Sequence, residues 1–171
     1  MILNVRKLNK IVLLFVTLSV FMFMDCWYYS FSGKSLPGIE SVAIPLFDLR
    51  NNANEVEIRD KLQNSLVSKF QNENILKVVS RNQADSILEG VIENIEDNPT
   101  AINIQEQAQQ WELKITVQFK LEVTKSGKVI VNEKVVGMGL YTDLQQRDQA
   151  VEDAVKQLIQ DISDKIVSGW N

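Results

Sequence analysis

Trp111 to Val123 alternates without a break. Trp111, Leu113, Ile115, Val117, Phe119, Leu121 and Val123 are apolar, and Glu112, Lys114, Thr116, Gln118, Lys120 and Glu122 stand between them. A period of two belongs to a β-strand, whose successive side chains point to opposite faces. One face must therefore pack while the other is wet or meets a polar partner. Ser126-Gly127 supplies a hairpin turn, and Val129 to Tyr141 returns as the antiparallel neighbour. Gly137 and Gly139 weaken the far end of that second strand and permit a bend.

The apolar face of such a hairpin needs a cover, and two segments have the period to provide it. Ile58, Leu62, Leu66 and Phe70 recur every four residues with Arg59, Lys61, Gln63 and Asn64 outside the stripe. Asn54 is placed to cap this helix, Glu55 and Glu57 suit the positive end of its dipole, and it should stop near Asn74. Ala150, Val151, Ala154, Val155, Leu158, Ile159, Ile162, Ile166 and Trp170 follow the same period at the C-terminus. Thr142 or Asp143 can cap the start, Asp143 with Gln146 resembling a capping box, and Gly169 suits a fraying end.

Further strands are expected at Ser41 to Leu49, Leu76 to Val79 and Ser86 to Glu96. The first is apolar on both faces, yet Pro45 in its middle has no N–H for a ladder and calls for an edge or a bulge. Gly90 marks a bulge or a close approach. Asp97-Asn98-Pro99 should end the third strand, leaving Thr100 to Gln110 as a loop or a ragged extension. The expected fold is α+β: a two-layer sandwich with two amphipathic helices on one face of a mixed, about four-stranded sheet. A strand-helix-strand crossover joins its first part, right-handed if the strands are parallel.

The N-terminus reads differently. Arg6, Lys7 and Lys10 precede the uncharged apolar run Ile11 to Met24, which leads to the lone cysteine, Cys26. A basic start, a short apolar stretch and a cysteine form a lipoprotein-type signal over residues 1–25, with Cys26 as the lipidated first residue of the mature chain. The run is shorter than the roughly 20 residues of a spanning helix. Phe23, Met24 and Asp25 are large or charged where a cleavage site has small residues, so an uncleaved anchor and an unmodified cysteine stay open. Residues 26–40 form an irregular tether and 41–171 a single domain. Trp27, Tyr28 and Tyr29 suit the headgroup zone of a bilayer, or equally a packing role on the domain or a partner.

The whole chain carries −4; Arg6, Lys7, Lys10 and Asp25 contribute +2, so the remainder carries −6. That balance disfavours nucleic acid as a partner. With no histidine and one cysteine there is no Ser-His-Asp or Cys-His arrangement, no internal disulfide and no thiolate zinc site. No phosphate-cradling glycine motif is present. No cofactor is implied. Glu93, Glu96 and Asp97, and separately Glu152 and Asp153, are either solvated charges or an acid pair or metal site. Lys114 and Lys120, with Lys125, Lys128 and Lys134 near the hairpin, are either a wet sheet face or a patch for the phosphates of a glycolipid. Trp111 and Trp170 suit core or rim positions.

Several stretches together resemble the LptE family of lipopolysaccharide-assembly lipoproteins. They are Cys26 with a nearby tyrosine, Ser30-Phe31-Ser32-Gly33, Ser35-Leu36-Pro37, and Val42-Ala43-Ile44-Pro45-Leu46-Phe47. The helix Val56 to Phe70, Leu76-Lys77-Val78-Val79 and Ala84-Asp85-Ser86-Ile87-Leu88-Glu89-Gly90 continue the likeness. The Trp111 strand, the Gly127 hairpin and the terminal helix ending at Gly169-Trp170 complete it. The resemblance implies a non-catalytic protein on the periplasmic side of the outer membrane. It would be lipid-anchored, plugging an LptD-type β-barrel and contacting lipopolysaccharide; the resemblance carries over no contact residues, and Lys114, Lys120, Lys128 and Lys134 are candidates from the charge of the sheet face and its hairpin alone. Asp25 and Trp27 depart from the family's small residue and glycine around the cysteine. The Val-Ala-Ile-Pro strand before a helix is also similar to modules of curli-secretion and cell-wall-synthase-activator lipoproteins, which bind protein partners instead.

Overall fold

The computed structural model describes residues 38–50, 55–102 and 108–169. They form a mixed α+β fold with an open sheet of six strands rather than about four. The strands are β1 (Ser41–Ala43), β2 (Asp48–Leu49), β3 (Lys77–Val78), β4 (Ser86–Ile102), β5 (Ala108–Val123) and β6 (Val129–Tyr141). Two helices, α1 (Val56–Asn72) and α2 (Arg147–Ser168), complete it. The spatial order is β3-β1-β4-β5-β6, with β2 also beside β4.

Part of the higher strand number comes from Pro45. The single strand expected over Ser41 to Leu49 is two short ones, both parallel to β4, with Ala43 opposite Ile87 and Asp48 opposite Val91. Ala43 to Asp48 is one residue longer than the stretch it faces, so the break is a bulge, the form a proline without a ladder donor imposes. Phe47, in the break, turns into the core and is 1% exposed. Its ring lies where a Cβ on Gly90 would stand, so Gly90 marks a close approach. β3 pairs with β1 in parallel, Ser41 opposite Lys77, across the α1 crossover.

Asp97-Asn98-Pro99 lie within a strand. They do not end β4, which continues to Ile102, with Asp97 opposite Leu113, Pro99 opposite Trp111 and Ile102 opposite Ala108. Registered partners on the other side of β4 stop at Leu49 opposite Ile92. Among the described residues Pro99 therefore sits on an edge, where a missing donor breaks no ladder. At about 3.3 Å per residue the arms of this hairpin are about 50 Å long. The β5–β6 turn is as read: Gly127 has φ +65° and donates to the Val123 carbonyl at 2.8 Å.

Ile58, Leu62, Leu66 and Phe70 of α1 are buried, as are Ala150, Val151, Ala154, Val155, Leu158, Ile159, Ile162 and Ile166 of α2. These stripes share one apolar cluster with Leu113, Ile115, Val117, Phe119 and Leu121 of β5. Gly137 and Gly139 lie opposite Ile115 and Leu113, and Cβ atoms there would strike the Ala154 and Ala150 backbone. They let α2 approach β6. The Asn54 cap lies outside the described residues; Glu55 precedes α1 without a side-chain cap bond. Asp143 caps a short 3-10 turn, Leu144–Gln146, accepting from the Gln145 N–H at 3.0 Å, and α2 begins one turn later than the capping box suggests. Gln146 Oε1 accepts from the Thr142 hydroxyl at 3.0 Å instead.

Candidate functional site

The even-numbered residues of β5 face away from the helices and carry the expected lysines. The sheet brings Lys114, Lys120 and Lys134 onto this face, each beside a carboxylate. Lys120 lies 3.2 Å from both Glu89 and Glu122, Lys114 is 3.7 Å from Glu96, and Lys134 is 2.5 Å from Glu93, which also takes Arg50 at 3.0 Å. Lys120 is held above the ordinary lysine range by the Glu89 carboxylate first, then Glu122. Glu89 and Glu93 are held below the carboxylate range, chiefly by Lys120 and Lys134. The face is a lattice of compensated charges, and an anionic ligand would have to displace carboxylates. Lys128 sits apart, exposed beside the β5–β6 turn. A groove of about 410 Å³ crosses this face beside the β1–β2 break, lined by Pro45, Leu46, Asp48, Gln118, Lys120 and Asn132 among others.

The acidic run 93–97 divides between faces: a register shift between Ile92 and Asn94 leaves Glu93 on the same face as Glu96, and the period of two then parts Glu96 from Asp97. Glu96 meets Lys114, whereas Asp97 points to the helix side. There Asp97 Oδ1 accepts from the Tyr141 hydroxyl at 2.9 Å, and Oδ2 accepts from Arg147 Nη2 at 3.0 Å and Nε at 3.2 Å. Arg147 Nη2 also donates to Glu55 at 3.1 Å. This half-buried network joins β4, β6 and the N-terminal ends of both helices. It holds the guanidinium above its ordinary range, chiefly through Asp97. Burial and then Asp97 push the Tyr141 phenol up. The network was not legible in the sequence, since its members are up to 92 residues apart. Glu152 pairs with Lys61 and Asp153 accepts from Gln149. Among the described residues no group of three or more His, Cys, Asp or Glu converges at metal distance.

The Ala84-Asp85-Ser86 stretch has a structural role. Asp85 Oδ2 accepts from the Ser41 hydroxyl at 2.7 Å and the Glu40 N–H at 3.3 Å, while the Ser86 hydroxyl donates to the Ser41 carbonyl at 3.0 Å. These bonds pin the start of β1 to the start of β4, and the Ser41 bond foremost keeps the Asp85 carboxyl below its ordinary range.

Exposed apolar residues gather at the opposite end of the sheet. Trp111 stacks on Tyr141 with ring centroids 6.5 Å apart. Both line a cavity of about 590 Å³ with Thr142, Asp143 and Leu144. Met138, Leu140 and Leu144 are all exposed. Cys26, Trp27, Tyr28, Tyr29 and Trp170 lie outside the described residues. No described helix is long and apolar enough to cross a membrane. The described surface offers faces for docking, and Lys114, Lys120 and Lys134 of the sheet face are engaged in ion pairs.

A family model described as lipopolysaccharide-assembly, LptE, matches residues 39–168. No curated protein matches the chain by sequence. A Xanthomonas campestris protein of family DUF330 is similar in structure, with TM-score 0.61 and 14% identity over 78% of this chain and 89% of that one. A hypothetical protein of Chlamydia trachomatis gives 0.58 and 10% identity, covering 77% and 97%. A lipoprotein B of Nitrosomonas europaea gives 0.54 and 14% identity, covering 76% and 83%. At these identities the likenesses speak to the fold.

Proposed function

Because the chain belongs to the LptE lipopolysaccharide-assembly family, we propose that it is an outer-membrane lipoprotein that docks in an LptD-type β-barrel and assists lipopolysaccharide transport and assembly. The observation that carries this reading is the extent of the family match, which takes in every element from β1 to α2. The domain is read as two layers, both helices on one face of the sheet and the charge-compensated face left for a partner. Such a face is soluble while free and exchanges its ion pairs for those of a polar barrel wall at small net change, because exposed pairs are worth about 0–1 kcal/mol each.

Cys26 is the proposed acylation site. Eleven residues separate it from Gly38, a tether of at most about 40 Å. One acyl chain gives marginal binding, so several chains or the barrel itself complete the retention. Trp27, Tyr28 and Tyr29 then lie at headgroup level. Lys114, Lys120, Lys128 and Lys134 are the proposed contacts for lipopolysaccharide or the partner, Lys128 being the one that needs no carboxylate displaced. The decisive experiment is detergent extraction of the native chain with its partners. Co-purification with a large β-barrel, and loss of surface lipopolysaccharide on depletion, are expected. Recovery as a free monomer with surface lipopolysaccharide unchanged refutes the proposal.

A further inference from the structure

The outer shoulders of α1 and α2 enclose a groove of about 460 Å³. Lys61, Ser65 and Lys69 line one wall at intervals of four residues, and Lys156 and Gln160 line the other. The interval places the two α1 lysines on one helix face, about 12 Å apart along the axis. Glu152 is the one carboxylate in this lining, against three lysines, on a chain that is acidic overall. Lys61 meets Glu152 at 3.2 Å; Lys69 meets Glu73 at 2.6 Å and Gln160 Oε1 at 3.1 Å. Both acids have side chains more than half exposed, 57% and 52%, so these are weak pairs that exchange readily. Lys156 has no ion pair or side-chain hydrogen bond among the described residues. The floor, Val155 and Ile159, is 3% and 8% exposed. It offers a thin apolar strip, enough for one small side chain and too little for an acyl chain, whose affinity grows only with each CH₂ buried.

We propose that this groove docks an acidic peptide segment of a protein partner. Carboxylates spaced like Lys61 and Lys69 exchange places with Glu152 and Glu73, a third reaches Lys156, and a small apolar side chain rests on Val155 and Ile159. The inference uses the helices and not the sheet face, so it stands or falls separately from barrel docking.

The test is fluorescence anisotropy with the full chain in detergent and a labelled helical peptide bearing glutamates four residues apart with alanines between. Binding is expected, weakening as salt is raised towards about 1 M. Lys156→Glu, which breaks no ion pair of the fold, should lower affinity about threefold. Adding Lys61→Glu and Lys69→Glu should lower it about tenfold or more. A peptide with lysines in place of the glutamates should prefer the triple variant. The proposal is overturned if the glutamate peptide does not bind, if its glutamine counterpart binds equally, or if Lys156→Glu leaves affinity unchanged. Lysine-dependent binding of phosphatidylglycerol vesicles without peptide binding also overturns it, pointing to a lipid surface.

Discussion

Replacing Gly139 with alanine tests how α2 is seated. A Cβ at this position would lie 2.7 Å from Ala150 Cα and 2.6 Å from its carbonyl carbon, and nearer still to the oxygen. Ordinary carbon contact is about 3.5–4.0 Å, so the helix must retreat by about 1 Å. The obstacle is backbone, so no rotamer change relieves it. Retreat loosens Ala150, Val151 and Ala154, all at most 5% exposed. Overpacking of this kind costs about 1–3 kcal/mol, and a backbone clash belongs near the top of that range. For a domain of this size about 3 kcal/mol lowers Tm by about 10 °C. The measurement is circular-dichroism melting of Gly139→Ala, with Gly90→Ala as the contrast. At Gly90 the obstacle is the Phe47 ring, so Phe47→Leu should restore part of the stability lost there. Ala150→Gly should restore none to Gly139→Ala. A Gly139→Ala protein melting within about 2 °C of the parent, or rescued by Ala150→Gly, would refute the close-packed seating.

Asp97→Ala should cost about 2 kcal/mol by leaving the Tyr141 hydroxyl and the Arg147 guanidinium without their shared acceptor. A double-mutant cycle with Arg147→Ala, read by urea denaturation, should show clear non-additivity. Acid stability should depend on Asp85. Its folded pKa is lowered, so its contribution is present above the ordinary carboxylate range and is lost as pH falls through the lowered value. Melts below about pH 4 should therefore fall less steeply for Asp85→Asn than for the parent. Cys26→Ser should shift the protein from the membrane fraction to the soluble envelope fraction if the cysteine is acylated, checked by fractionation and mass spectrometry of the mature N-terminus.

Local periodicity carried far in this chain. The alternation of Trp111 to Val123, the Gly127 turn and the two helical stripes are short-range signals, and each appears as an element with its apolar side buried. The resemblance noted from the Val42–Phe47 strand and the Ala84–Gly90 stretch agrees with the family match over residues 39–168. Other features were closed to the sequence because they depend on what lies opposite. Pro45 divides a strand by a bulge that only the register against Ile87 and Val91 reveals. Pro99 reads as a stop and is tolerated because, among the described residues, no registered strand flanks β4 on that side.

What the chain's order of residues determined was its set of elements, since helix and strand periods are properties of consecutive side chains. Tertiary structure decided which charges meet. Lys114, Lys120 and Lys134 find carboxylates across the sheet, Asp97 parts from Glu96 to join Arg147, and glycines that read as weak points become the seat of a helix. Each outcome rests on a partner tens of residues away, and the free energy of such a meeting exists only once the chain has closed the distance.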